Sequence, residues 1–202
     1  MKYLAIDTSG KNLTVIAKNQ DQTEIYFDPN CGVFHSTAVM NKIEETLEKV
    51  SLNLKDADFI ACVTGAGSFT GIRIGVSTVK ALCFANGIKC LPITSFDTIA
   101  YNKKAGKVLA VIDAKHDGYY IAGYFDKELV LPPSFINGSK LLELSKEYKL
   151  LSFEEIKGFD VEVVSLSNGL MRAVEDNYNN AVSVSELNPL YVRKSQAEEG
   201  RP

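Results

Sequence analysis

The sequence predicts a two-lobed α/β fold, with mixed sheets flanked by helices. Three observations carry this expectation. The element order strand, strand, strand, helix, strand, helix at the start of the chain makes a mixed sheet. Residues 5–17, AIDTSGKNLTVIA, and residues 111–124, VIDAKHDGYYIAGY, share one device: an apolar strand ends in Asp, turns, and pairs with the next strand. Such an internal repeat points to a duplicated architecture. Residues 58–84, DFIACVTGAGSFTGIRIGVSTVKALCF, join a short apolar run to a second apolar run through a glycine-bearing loop, which reads as strand, loop and buried helix.

Along the chain, residues 2–6, 13–17 and 23–27 read as an antiparallel meander joined by turn-rich links. A helix is expected over residues 35–50, where Val39, Ile43, Leu47 and Val50 fall at helical spacing and Glu44, Glu45, Glu48 and Lys49 face water. The buried strand is residues 59–63, and a helix runs from Gly71 to about Phe84. Residues 88–93 form the next strand, and residues 96–101 a short helix capped by Ser95 or Asp97. Residues 108–112 and 118–125 make a hairpin, while 139–148 and 166–177 read as helical. Between residues 143 and 167 no strand pattern stands out. The division of the chain is placed at residues 1–86 and 87–202, the second part being short for a complete lobe.

The loop with Gly65, Gly67 and Gly71 allows close backbone approach, and Ser68 and Thr70 offer hydroxyls at a helix start that can hold an anion. Neither common phosphate motif is met: Thr70 stands where the dinucleotide pattern wants its third glycine, and no Lys-Ser/Thr pair follows Gly71. A structural turn and a phosphate contact both remain open. The following helix is apolar on nearly every side, with Ile72, Val76, Val79 and Cys83 on one side and Ile74, Ala81, Leu82 and Ala85 around the rest. It is either the centre of a single core or shared between its own sheet and a second polypeptide.

Composition excludes several classes. Hydrophobic residues make up 46% and charged residues 23%, which is globular rather than disordered. A formal charge of -3 argues against nucleic-acid binding by charge alone, so any RNA connection comes through a partner. The four cysteines lack CxxC spacing and read as buried reduced thiols, as in a cytoplasmic protein. No signal peptide or membrane span is expected, because Asp7 comes early and no apolar run approaches about 20 residues.

The AIDTS segment, His35-Ser36, GAGSFTGIRIG at residues 65–75, the VIDAKHDGYY hairpin and LNPLYVRKSQAE at residues 187–198 together resemble the TsaB (YeaZ) family. This chain carries Ala66 where the family usually has Pro. The resemblance implies the acetate kinase, Hsp70 and actin-like fold, with two ribonuclease-H-like lobes and a shortened second lobe. It also implies a non-catalytic scaffold that activates TsaD in the bacterial machinery forming N6-threonylcarbamoyladenosine at position 37 of tRNAs that read codons beginning with A. In that machinery TsaC makes the threonylcarbamoyl-adenylate, TsaD transfers the carbamoyl group and TsaE is an ATPase. The implied partners are TsaD and TsaE, with tRNA reached only through the complex, a homodimer when the chain is alone, and no cofactor. The expected TsaD-facing residues are Val39, Met40, Ile43 and Leu47 on the first helix and Gly71, Ile72, Gly75, Val76 and Val79 on the second. Gly71 and Gly75, four apart, are expected to open a groove to the partner.

Chemistry of its own is weighed against residue types. The TsaD paralogue builds a metal site from two histidines four apart, and here His35 is followed four positions on by Val39. One imidazole does not make that site. A lone histidine at a helix start reads more simply as a surface or capping residue, and His116 lies in a hairpin turn of the other half. In this superfamily Asp7 could position a metal and phosphate, but it and Asp113 read more simply as residues closing turns. A protease is rejected because His35 and Ser36, as helix neighbours, point about 100° apart. The alternative enzyme class is a free-standing nucleotide-dependent small-molecule kinase, which needs a cleft between two complete lobes.

Overall fold

The expected N-terminal meander forms in the computed structural model, which describes residues 1–193. Strands β1 (Lys2–Asp7), β2 (Leu13–Asn19) and β3 (Gln22–Asp28) lead into α1 (His35–Lys49). Next come β4 (Phe59–Val63), α2 (Phe69–Asn86), β5 (Lys89–Ile93) and the short α3 (Ser95–Ala100). The sheet order is β3-β2-β1-β4-β5. β1 is central, antiparallel to β2 and parallel to β4, and is buried on both faces, so apolar residues fill it continuously. Helix α3 is capped by Thr94, whose hydroxyl accepts from the Asp97 N–H while the Asp97 carboxylate accepts from Thr94 N–H; Ser95 is inside the helix.

The second sheet repeats the first. β6 (Lys107–Asp113), β7 (Gly118–Phe125), β8 (Glu128–Asn137), α4 (Gly138–Leu144), β9 (Lys149–Ser152), β10 (Val161–Val163) and α5 (Leu166–Asn177) follow in order. The sheet order β10-β9-β6-β7-β8 reproduces that of the first sheet strand for strand, with β6 in the place of β1. The shortening is now located. α4 has 7 residues against 15 in α1, and residues 153–160 run as a loop where the first lobe has α2. The division placed at residue 86 falls ahead of β5, which is the edge strand of the first sheet.

Three strands and a helix boundary differ from expectation. β8 falls where the sequence predicts no element; it carries Pro132-Pro133 but is an edge strand, where a missing N–H is tolerated. β9 and β10 have only 4 and 3 residues, too few for an alternating pattern to show. The helix expected to reach Tyr148 ends at Leu144 and closes in turns, because Leu150 and Leu151 are drawn into parallel pairing with β6.

Packing is layered. One face of the first sheet buries Leu4, Ile6, Val15, Ile60 and Cys62 against α1 and α2. The opposite face, with Tyr3, Ala5 and Leu91, packs on α3 and α5, which in turn pack on Ala110, Ala122 and Leu151 of the second sheet. A single core therefore runs through both lobes. The outer face of the second sheet is covered by Leu141 of α4.

α2 is not the centre of a single core. Gly71, Ile72, Gly75, Val76, Val79 and Cys83 face the chain's own first sheet, while Arg73, Ser77, Ala81, Phe84 and Ala85 are exposed. The groove made by Gly75 is filled from inside: a Cβ there would lie 2.6 Å from Thr8 Oγ1 and 3.7 Å from Cys62 Sγ. This corrects the expectation that the glycine groove opens to a partner. Gly75→Leu is expected to destabilise the isolated chain by about 1–3 kcal/mol. Thermal unfolding of the lone variant checks this, and an unchanged melting temperature would contradict the inward packing.

Candidate functional site

The candidate side chains lie at the carboxyl end of β1 and along α1 and α2. After β1 the chain turns at Asp7, whose Oδ1 accepts the Ser9 N–H at 2.7 Å. In the second lobe Asp113 does the same for Lys115 N–H, also at 2.7 Å. Both aspartates close turns, as the repeated strand-Asp device implies.

Their electrostatics diverge. Asp7 is buried, and its Oδ2 has no hydrogen-bond partner. Burial pushes its carboxyl above the usual range, although the Ser9 hydrogen bonds and neighbouring His35 pull the other way. Asp113 is also partly desolvated, but hydrogen bonds from the Lys115 side chain and backbone outweigh that and hold it below the usual range.

The glycine loop is a fastening between α2 and the end of β1. Ser68 N–H donates to Ser9 O at 2.6 Å, and Thr8 Oγ1 donates to Gly71 O at 2.7 Å. A Cβ on Gly67 would run into the Ser9 carbonyl oxygen and one on Gly71 into that of Thr8, so both positions demand glycine by close approach. Ser68 caps α2, its side chain accepting from Gly71 N–H. Ser95 Oγ donates to Ala66 O at 2.6 Å, tying the loop to α3.

Between the lobes lies a cleft of about 510 Å³, walled by residues 9–12 and 67–68 on one side and by residues 112–115, Tyr120 and residues 152–154 on the other. Lys11 Nζ and Glu154 Oε2 meet across it at 3.0 Å. The core shared by α3 and α5 lies beside it and joins the two sheets.

The residues present do not fit the two-histidine metal site of the paralogue. His35 is buried rather than at the surface, and its Nε2 is 2.9 Å from Asn12 O, which pins the start of α1 to the β1–β2 turn. Val39 is an apolar core residue. Among the described residues no group of three His, Cys, Asp or Glu side chains is arranged to hold a metal. The Cys62, Cys83 and Cys90 thiols are buried and free, and burial pushes Cys83 up to about 12.

Of the residues expected to face a partner, Val39, Ile43, Leu47, Ile72, Val76 and Val79 lie in the core against the first sheet, with Gly71 and Gly75 beside them. All are buried, with at most the edge of Leu47 reaching a surface groove beside Glu44 and Glu48. Met40 alone is exposed. The apolar stripe at helical spacing is the inner stripe, and the accessible residues are those off it: Phe34 and Met40 at α1, and Arg73, Ser77, Ala81, Phe84 and Ala85 on α2. The signal that marks them is the excess of apolar residues outside the stripe, such as Ala81, Phe84 and Ala85.

A model of the family described as TsaD, tRNA N6-adenosine threonylcarbamoyltransferase, matches residues 30–187. The chain belongs to this family. Within the TsaD-like family it is similar to proteins named tRNA threonylcarbamoyladenosine biosynthesis protein TsaB. The Bacillus subtilis protein is 29% identical over 73% of this chain and 67% of its own length. The Escherichia coli protein is 28% identical over 73% and 69%. A crystal structure titled YeaZ from Pseudomonas aeruginosa superposes with a TM-score of 0.77, covering 94% of this chain and 99% of that one at 20% identity. A second Pseudomonas aeruginosa structure, of an uncharacterized protein with similarity to peptidase YEAZ, gives 0.80 over 95% and 99%. The TsaB resemblance and the acetate kinase, Hsp70 and actin-like fold with two ribonuclease-H-like lobes therefore hold. The motif segment 194–198 lies outside the described residues. No helix among the described residues is long and apolar enough to cross a membrane.

The buried Asp7 gives a pH test. Its folded pKa is raised, so the folded chain holds the proton more tightly than the unfolded one. Its contribution to stability is thus fully present below the unfolded carboxylate pKa and is lost as pH rises through the raised folded value. Asp7→Asn keeps an acceptor for Ser9 and removes the charge. It is expected to raise the melting temperature at pH 7, with the gain shrinking towards pH 4; a gain independent of pH would contradict the assignment.

Proposed function

We propose that this chain is a non-catalytic TsaB-type subunit that binds the TsaD paralogue and holds it in its working conformation during formation of N6-threonylcarbamoyladenosine in tRNA. Membership of the TsaD-like family and the names of its relatives support the pathway. The single apolar-for-histidine position at Val39 and the absence of an α2 counterpart in the second lobe, residues 153–160 forming a loop, support a role without chemistry.

The observation that carries the partner reading is the outer surface of α2. Phe84 is 83% exposed there, beside exposed Ala81 and Ala85, while α1 exposes Phe34 at 64% and Met40 at 41% nearer the other end of the sheet. Small residues flanking a large apolar one allow a second helix to approach closely and bury a real anchor. TsaD is the occupant, TsaE joins the assembly, and tRNA is met only through the complex, in line with the formal charge of -3. When TsaD is missing, a second copy takes its place on the same helices, an interface of about 1,600 Å² in total being the usual size for a lasting contact.

Phe84→Asp tests this in two measurements. Affinity for co-expressed TsaD from the same source is expected to fall by about tenfold or more, and the isolated variant to run as a monomer in size exclusion. Its melting temperature should barely move, since the side chain lies outside the core. Normal TsaD binding and normal tRNA modification by the variant would sink the reading. ATP turnover above background by the purified single chain would favour the kinase alternative instead.

A further inference from the structure

This inference rests on the partner reading above and assigns what one part of that surface recognises. At the N-terminal end of α2, side chains from two separate segments form a stack outside every core cluster. Arg73 Cζ lies 3.8 Å from the Phe69 ring centroid, and the Phe69 ring stacks on Tyr191 at 4.8 Å with an interplanar angle of 27°. Arg73 Nε donates to Tyr191 Oη at 3.1 Å. Tyr191 is held there by its own backbone neighbour, because Leu190 N–H donates to Thr64 O at 2.8 Å.

The stack fixes the plane of a guanidinium that is otherwise unused. Arg73 is exposed, forms none of the ion pairs among the described residues, and spends only Nε on a hydrogen bond. Both Nη groups are left as donors. Such an edge matches the two oxygens of a carboxylate, which it takes in parallel hydrogen bonds. Because Phe69 and Tyr191 already hold the side chain, little rotamer freedom is lost on binding. Arg73 also shares the exposed side of α2 with Ser77, Ala81 and Phe84, which follow at helical spacing.

We propose that the Arg73–Phe69–Tyr191 stack is a carboxylate-reading anchor of the partner surface, receiving an Asp or Glu side chain of TsaD. The occupant follows from charge complementarity with a preorganised guanidinium, and the C-terminal segment thereby becomes part of the interface through Tyr191.

The test measures the dissociation constant of the complex with TsaD for the native chain, Arg73→Lys, Arg73→Ala and Phe84→Asp, with a melting temperature for each. Arg73→Lys keeps the charge but loses the fork and the stacking plane. Both Arg73 variants are expected to weaken binding about tenfold or more, with melting temperatures close to the native one. Full binding by Arg73→Lys would reduce the role to unspecific charge and overturn the anchor. Full binding by both Arg73 variants, with Phe84→Asp defective, would overturn the anchor while leaving the partner surface in place. A native chain that does not bind TsaD at all would remove the partner reading itself and the anchor with it.

Discussion

The contact between the N-terminal turn of α2 and the carbonyl groups that follow β1 is the constraint on which the rest of the first lobe depends. Gly67 and Gly71 have no side chain to hold the backbones apart, so Ser68 N–H reaches Ser9 O and the Thr8 hydroxyl reaches Gly71 O. Fixing that one end sets the rotation of α2 about its axis. Ile72, Val76 and Val79 then meet the sheet, and Phe84 and Arg73 are directed away from it. The buried Asp7 belongs to the same arrangement. Its Oδ1 shapes the turn that presents Ser9, and the cost is a desolvated carboxylate whose second oxygen has no partner.

Duplication explains why the two halves look alike in strand order and differ in chemistry. The same strand-Asp-turn device appears at Asp7 and Asp113, yet one is sealed under α1 and α2 and the other lies near the surface beside Lys115. What the second half lacks is the helix between its fourth and fifth strands. Without it the second wall of the cleft is loop and strand ends, bridged by Lys11 and Glu154. The same strand order in the two halves thus carries different helices, and the outer side of α2 with Phe84 stays exposed.

The first lobe was legible because its strands are continuous apolar runs and its helices have a clear period. The paired Asp devices exposed the repeat in the second lobe, but its edges were not readable. Pro132-Pro133 conceals β8, and β9 and β10 are too short for any periodicity. Apolar spacing led to Val39, Ile43, Ile72 and Val76 as contact residues, and that spacing is what a core stripe produces. Sequence gives the period of a helix but not its phase relative to a partner. The residues off the stripe, Met40, Ala81 and Phe84, are the exposed ones, and the core does not require their apolar character. The Tyr191–Arg73 contact joins residues 118 positions apart, a distance over which no local pattern speaks.

The core shared by both sheets bears on how the molecule loses its structure. Tyr3 and Leu91 from the first half, Ala110 and Leu151 from the second, and Phe96 and Leu170 from the helices between them are all buried in one cluster. Neither half can shed the other without opening its own interior to water. Heat or a protease therefore meets a single cooperative unit, and a fragment cut near residue 86 would leave β1 and β4 without the edge strand and helices that shelter one side of them.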